Sequence, residues 1–212
     1  MKYVFLIFIC FILFNCGKKK EEVADENESV NRTFDGTYST SCFSKDSNYQ
    51  KVTLTISGKD LSVYWRNYKN NSCSSDSLFS EFSKQETTTY YDDVNVIKSS
   101  DNNSVVATKT SAIVNNFYFT LKTDNYTSEI NNSSLCAYSN WQNNVRKDIS
   151  NLVNNTGCVS HVEDSNWSAK INEETKEIFK LIESTLWLGD DRYPKDSNGF
   201  YTYIKNSNLV KE

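Results

Sequence analysis

Four cysteines, Cys42, Cys73, Cys136 and Cys158, are the residues of this 212-residue chain best placed for defined chemistry. The other two of its six, Cys10 and Cys16, stand in an N-terminal segment with the marks of an export signal. An even set in an exported chain reads as two disulfides, for which three connectivities exist. Metal binding is the rival chemistry, but no pair has the C-x₂₋₄-C spacing of a zinc site, and His161 is the only histidine. Pairing of sequence neighbours is expected, Cys42 with Cys73 and Cys136 with Cys158. His161 has Ser160 beside it and Asp164 three residues on, yet the members of a catalytic triad converge from separate elements, not from one loop. The carboxylate pairs Asp92-Asp93 and Asp190-Asp191 have the oxygens for Ca²⁺ or for acid–base work, but neither follows the spacing of a calcium loop. Phosphate loops, dinucleotide fingerprints and zinc-hydrolase helices have no counterpart in the sequence. A non-enzymatic protein without metal or cofactor is expected. Among the aromatics, Trp65 and Phe119 are the candidates to line an apolar cup, although packing into a core is the ordinary role of such side chains.

Cys16 carries a different chemistry. Lys2 and an unbroken apolar run from Tyr3 to Phe14 precede Asn15 and Cys16, and Gly17 with Lys18, Lys19 and Lys20 follow. A basic start and an apolar run too short to span a bilayer make a secretory signal. Leu13-Phe14-Asn15-Cys16 resembles the lipobox of bacterial lipoproteins, with leucine three places before the cysteine and larger residues than usual between them. The resemblance implies that residues 1–15 are removed and that Cys16 becomes an acylated first residue (thiol lipidated, palmitate-type chain on the amine). Plain secretory cleavage is the alternative. One acyl chain binds a membrane only marginally, with a constant of about 10⁴ M⁻¹, while two or three hold firmly. Residues 16–31 are polar, charged and free of aromatics, as suits a flexible tether. Gly17 in place of a retention aspartate implies an outer-membrane anchor, on either the periplasmic or the surface face.

Residues 32–212 are one domain's length of chain, enough to bury a sizeable core. Removal of residues 1–15 takes away Lys2 and no acid, leaving 22 basic against 27 acidic side chains. These charges are dispersed, unlike the clustered basic face of a nucleic-acid binder. The membrane, and a small hydrophobic ligand, are the expected partners.

Most of the domain alternates with the two-residue period of half-buried strands. Candidates are 33–41, a hairpin with Val52, Leu54 and Ile56 on one strand and Leu61, Val63 and Trp65 on the next, and weaker strands at 78–82, 87–91 and 94–98. A further pair, 105–110 and 116–122, is expected around a turn at Val114-Asn115-Asn116. Late strands fall at 178–183 and 185–188, with a last edge segment at 201–205. Ser139 and Gln142 form a capping box, and Trp141, Val145, Ile149 and Leu152 lie on one stripe, which predicts a single amphipathic helix over about 139–153. The expected architecture is mainly β, an antiparallel barrel or sandwich with that helix.

Phe34-Asp35-Gly36-Thr37-Tyr38-Ser39 resembles the G-x-W opening of lipocalin-like barrels, with Tyr38 at the place of the tryptophan. The final segment has no arginine to act as that family's packing partner. Together with Leu186-Trp187-Leu188-Gly189-Asp190, the layout is similar to that of small β-barrel lipoproteins of uncharacterised function. The resemblance implies a cup for a small apolar ligand or envelope component. The alternative is a structural or surface-interaction lipoprotein with a filled core.

Overall fold

The computed structural model describes residues 34–152 and 171–212. Cys16, Cys158 and His161 lie outside the described residues. The chain builds ten strands: β1 Gly36–Ser39, β2 Phe43–Lys45, β3 Asn48–Ser57, β4 Asp60–Tyr68, β5 Leu78–Lys98, β6 Ser104–Leu121, β7 Arg146–Asp148, β8 Glu174–Ile182, β9 Thr185–Gly189 and β10 Tyr203–Lys211. Among the described residues an α-helix, α1, spans Asp124–Ser133. The strands form a single, mostly antiparallel sheet in the order β1-β10-β9-β8-β6-β5-β4-β3, and β3 pairs back to β1, so the sheet closes in a ring. β2 hangs on β3 and β7 on β6.

The β3–β4 hairpin forms as its alternation requires. Val52 pairs with Trp65, Leu54 with Val63 and Ile56 with Leu61, and Gly58 turns the chain at φ +57°. The segments expected at 78–82, 87–91 and 94–98 are one continuous strand, β5, and those expected at 105–110 and 116–122 are one strand, β6. Val114-Asn115-Asn116 is therefore no turn; Asn115 is the extra residue of a bulge opposite Gln85 and Glu86. A second bulge sets Tyr91 and Asp92 out of register, and beyond it the far ends of β5 and β6 return to β10 through a short parallel pairing, Tyr203 with Ile97 and Ile204 with Lys98. This gives two cores. The larger gathers Leu54, Val63, Phe82, Phe117, Leu186 and their neighbours. The smaller, around Val96, Ala107, Ile178, Phe200 and Ile204, uses the opposite face of β8. The last segment is accordingly no edge, since β10 pairs with β9, β1 and β5.

The helix expected over 139–153 is corrected. Asn144 is left-handed at φ +59°, Arg146–Asp148 pairs with β6, and Ser150–Leu152 is a 3₁₀ turn. Trp141 and Ile149 are buried at 4% and 2%, but Val145 is 48% exposed, so the stripe is not a helix face. The actual helix starts at Thr123, whose side chain accepts from Tyr126 N–H, and stops at Ser134 in the left-handed region. It buries only Thr127 and Ile130 of its ten residues, too little apolar periodicity to stand out in the sequence.

Candidate functional site

One end of the ring is plugged. Tyr38 is fully buried and donates its hydroxyl to the Phe34 carbonyl at 2.8 Å. The Phe34 ring stacks on Tyr90 and meets Phe179 edge-on. Tyr90 in turn donates to the carbonyl of Gly58 in the hairpin turn. Lys211, the last residue of β10, closes this end from outside: its Nζ donates to the Asp35 carbonyl at 2.7 Å and lies 5.8 Å from the Tyr38 ring centre. Gly36 leaves room for that lysine. It sits at φ +143°, and a Cβ there would come within 2.6 Å of Lys211 Cε.

Two cavities open elsewhere among the described residues. The first, about 330 Å³, is lined on its apolar side by Phe43, Val52, Trp65, Leu188 and Leu209. The second, about 380 Å³, has Leu61, Ala112 and Phe179 in its wall beside Thr110 and the charged Glu173, Glu174, Lys176 and Lys195. Glu177 and Tyr201 belong to both. The residues come from separate elements because strand alternation sends them the same way: Glu177 shares a face of β8 with Phe179, and Thr110 stands opposite Glu177 in the β6–β8 ladder. A bulge at Ser207-Asn208 bends β10 where it borders the first cavity, with Asn208 at φ +59°.

Glu177 Oε1 accepts from the backbone N–H of Ile178 at 2.9 Å and of Gly189 at 2.6 Å. Burial pushes this carboxyl up to about 7, against the pull of those two donors and of Lys195 and Lys205. Gly189 makes the arrangement fit, because a Cβ there would overlap both the Tyr201 ring and Glu177 Oε1. The same surroundings raise the Tyr201 phenol to about 12, first by burial and then through Glu177 and Asp191. Deeper in the ring, Lys84 and Glu86 alternate with Phe82 and Tyr90 on the inward face of β5. Both are wholly buried and form an ion pair at 2.6 Å. Glu86 Oε2, Thr88 Oγ1 and Thr110 Oγ1 are buried with no hydrogen-bond partner among the described residues.

Neither the comparison with protein-family models nor that with curated proteins finds a match for this chain. The site is therefore read from its own geometry.

Of the ligand candidates chosen from sequence, Trp65 lines the first cavity, whereas Phe119 packs edge-on against Trp141 at 5.5 Å and belongs to neither cavity wall. Cys42 and Cys73 are joined, with Cα atoms 5.8 Å apart, which ties the strand-border segment at the cavity to the loop after β4. Cys136 is buried and disulfide-bonded, and its expected partner Cys158 lies outside the described residues. The acidic pairs serve local structure. Asp190 holds the Arg192 guanidinium through both oxygens, at 2.9 and 2.6 Å, Asp191 pairs with Lys205, and Asp93 accepts from Thr108. Glu177 and Tyr201 were missed at the level of sequence. The available signal was a charged residue two places before Phe179 on an otherwise apolar strand face.

Proposed function

We propose that this chain is a lipid-anchored lipoprotein of the bacterial cell envelope whose ring-shaped sheet is a lipocalin-like cup for a small, largely apolar ligand, and that it binds without catalysing a reaction. The observation that carries the reading is the first cavity, which has the size of a small-molecule site and an apolar wall of Phe43, Val52, Trp65, Leu188 and Leu209, with the more polar second cavity adjoining it through Glu177 and Tyr201. The filled-core alternative would leave no such space. The plugged end supports the lipocalin-like part: a cation of the last strand, Lys211, lies against the aromatic residue of the G-x-Y opening, where that family sets its packing partner.

Native mass spectrometry of the purified chain, together with titration of an apolar fluorescent dye, tests the cup. One small molecule retained per chain, or saturable dye binding quenched from Trp65, is the expected result. A chain that carries nothing and takes up no dye overturns it in favour of a structural role. The anchor is tested separately. Wild type should partition into detergent and Cys16→Ser should become soluble; a wild type already soluble after cell breakage removes the lipoprotein reading.

A further inference from the structure

Resting on the binding function proposed above, we propose that the ligand is an amine: an apolar body with a protonated nitrogen that seats between Glu177 and Thr110, beside the ring of Tyr201.

Glu177 is the carboxylate common to both cavities, and it has no cation within ion-pairing distance among the described residues. Its two bonds from backbone N–H groups both end on Oε1, so Oε2 takes neither of them. The nearby lysines are engaged elsewhere. Lys205 pairs with Asp191 at 2.5 Å, and the Lys195 ammonium lies 4.1 Å from the centre of the Tyr201 ring. Deeper in the ring, Lys84 is matched by Glu86. Lys176, which also lines the second cavity, donates to the Asn198 carbonyl at 2.9 Å, so the walls carry lysines but none of them pairs with Glu177 among the described residues.

Thr110 supplies the independent observation. It is 1% exposed, lines the second cavity, stands directly opposite Glu177 in the ladder, and its hydroxyl meets no partner among the described residues. Leaving such a group unpaired is unfavourable, so a donor reaching both Oε2 and Oγ1 recovers what the empty arrangement forfeits. An alcohol could donate one hydrogen, whereas an ammonium donates up to three and carries the charge Glu177 lacks. The Tyr201 ring on the same wall favours a cation further. A fatty acid, the obvious apolar alternative, would set carboxylate against carboxylate.

The probes are octylamine, octanol and octanoate, which share one apolar body and differ in the head. Each competes with the apolar dye at pH 8 for the full exported chain carrying Cys16→Ser. Octylamine should bind at least about tenfold more tightly than octanol, the value of one charge-assisted contact, and octanoate should bind most weakly. Glu177→Gln should abolish the preference for the amine while octanol binding stays. Thr110→Val, which keeps volume and β preference, should reduce the same preference by about threefold to tenfold. If octanol and octanoate displace the dye as well as octylamine does, or if Glu177→Gln keeps the preference, the amine assignment is overturned and the cup survives. If none of the three displaces dye and no dye binds, the cup itself is overturned and the amine with it.

Discussion

Lys84 and Glu86 stand two residues apart on one strand, both at 0% exposure, with nitrogen and oxygen 2.6 Å apart. Burial lowers the Lys84 pKa, and the charge of Glu86 and its hydrogen bond oppose that shift. Breaking such a pair by removing one member leaves an unmatched charge in the interior. Lys84→Met should therefore cost about 3–5 kcal/mol, while Lys84→Met with Glu86→Leu should recover most or all of that loss. Urea denaturation of the two variants measures it, and a double variant as unstable as the single one would show that the pair is needed for the fold itself.

Glu177 should make the native state more stable in mild acid than in mild base. Its folded value, about 7, lies above the ordinary 4.5, so the folded state binds the proton more tightly than the unfolded chain does. Stability then falls as pH rises from about 4.5 through 7, by roughly 3 kcal/mol in all. Asp190 acts in the opposite sense. The Arg192 fork holds its carboxyl well below 3.8, and its contribution is lost only as pH drops beneath that value. Calorimetry should place maximal stability near pH 5. Glu177→Gln should flatten the slope between pH 5 and 8.

Trp141 should behave as a core residue although no helix presents it. Its backbone is clamped by the Asn131 side chain, which accepts from Trp141 N–H at 2.7 Å and donates to Trp141 O at 3.0 Å. Its indole N–H donates to the Leu135 carbonyl, and its ring meets Phe119 and Tyr138 edge-on. Trp141→Ala should cost about 3–5 kcal/mol. Val145→Ala, at a solvent-facing site on the same sequence stripe, should change stability by less than about 0.5 kcal/mol. Equal losses in thermal unfolding would restore the helical stripe.

Cys42 and Cys73 close a loop of 31 residues. In the chain-entropy account, their joint replacement by alanine should cost about 3–4 kcal/mol. Peptide mapping under non-reducing conditions should recover the Cys42–Cys73 link. Thr40, Ser41 and Phe43 border the first cavity beside this bridge, so the reduced chain should also release dye faster.

How much of this was legible in sequence depended on which face carried the apolar residues. The β3–β4 hairpin could be read because Leu54, Val63 and Trp65 alternate without interruption and Gly58 marks the turn. β5 and β6 were read as fragments because their inward faces carry Lys84, Glu86, Thr88 and Thr110, which look solvent-facing until a partner across the ring buries them. The helix was misplaced because the eight-residue spacing from Trp141 to Ile149 suits two turns of helix and also a turn followed by a short strand. Trp65 was found as a cavity residue since it ends an apolar strand face. Tyr201 could not be, because its approach depends on the missing side chain of Gly189, twelve residues earlier.

The ring is fastened by residues from opposite ends of the described chain: β1 pairs with β10, and Lys211 reaches the Asp35 carbonyl across a separation of 176 residues. Neither β1 nor β9 has its full complement of neighbours until β10 arrives. Native assembly therefore has an order imposed by topology. The local β3–β4 and β5–β6 hairpins can form early, but closure waits for the last strand and meets the entropy of the longest loop in the fold. A chain emerging N-terminus first thus remains an open sheet until its final strand is delivered, and any holding factor that meets it on the way meets two unpaired strand borders.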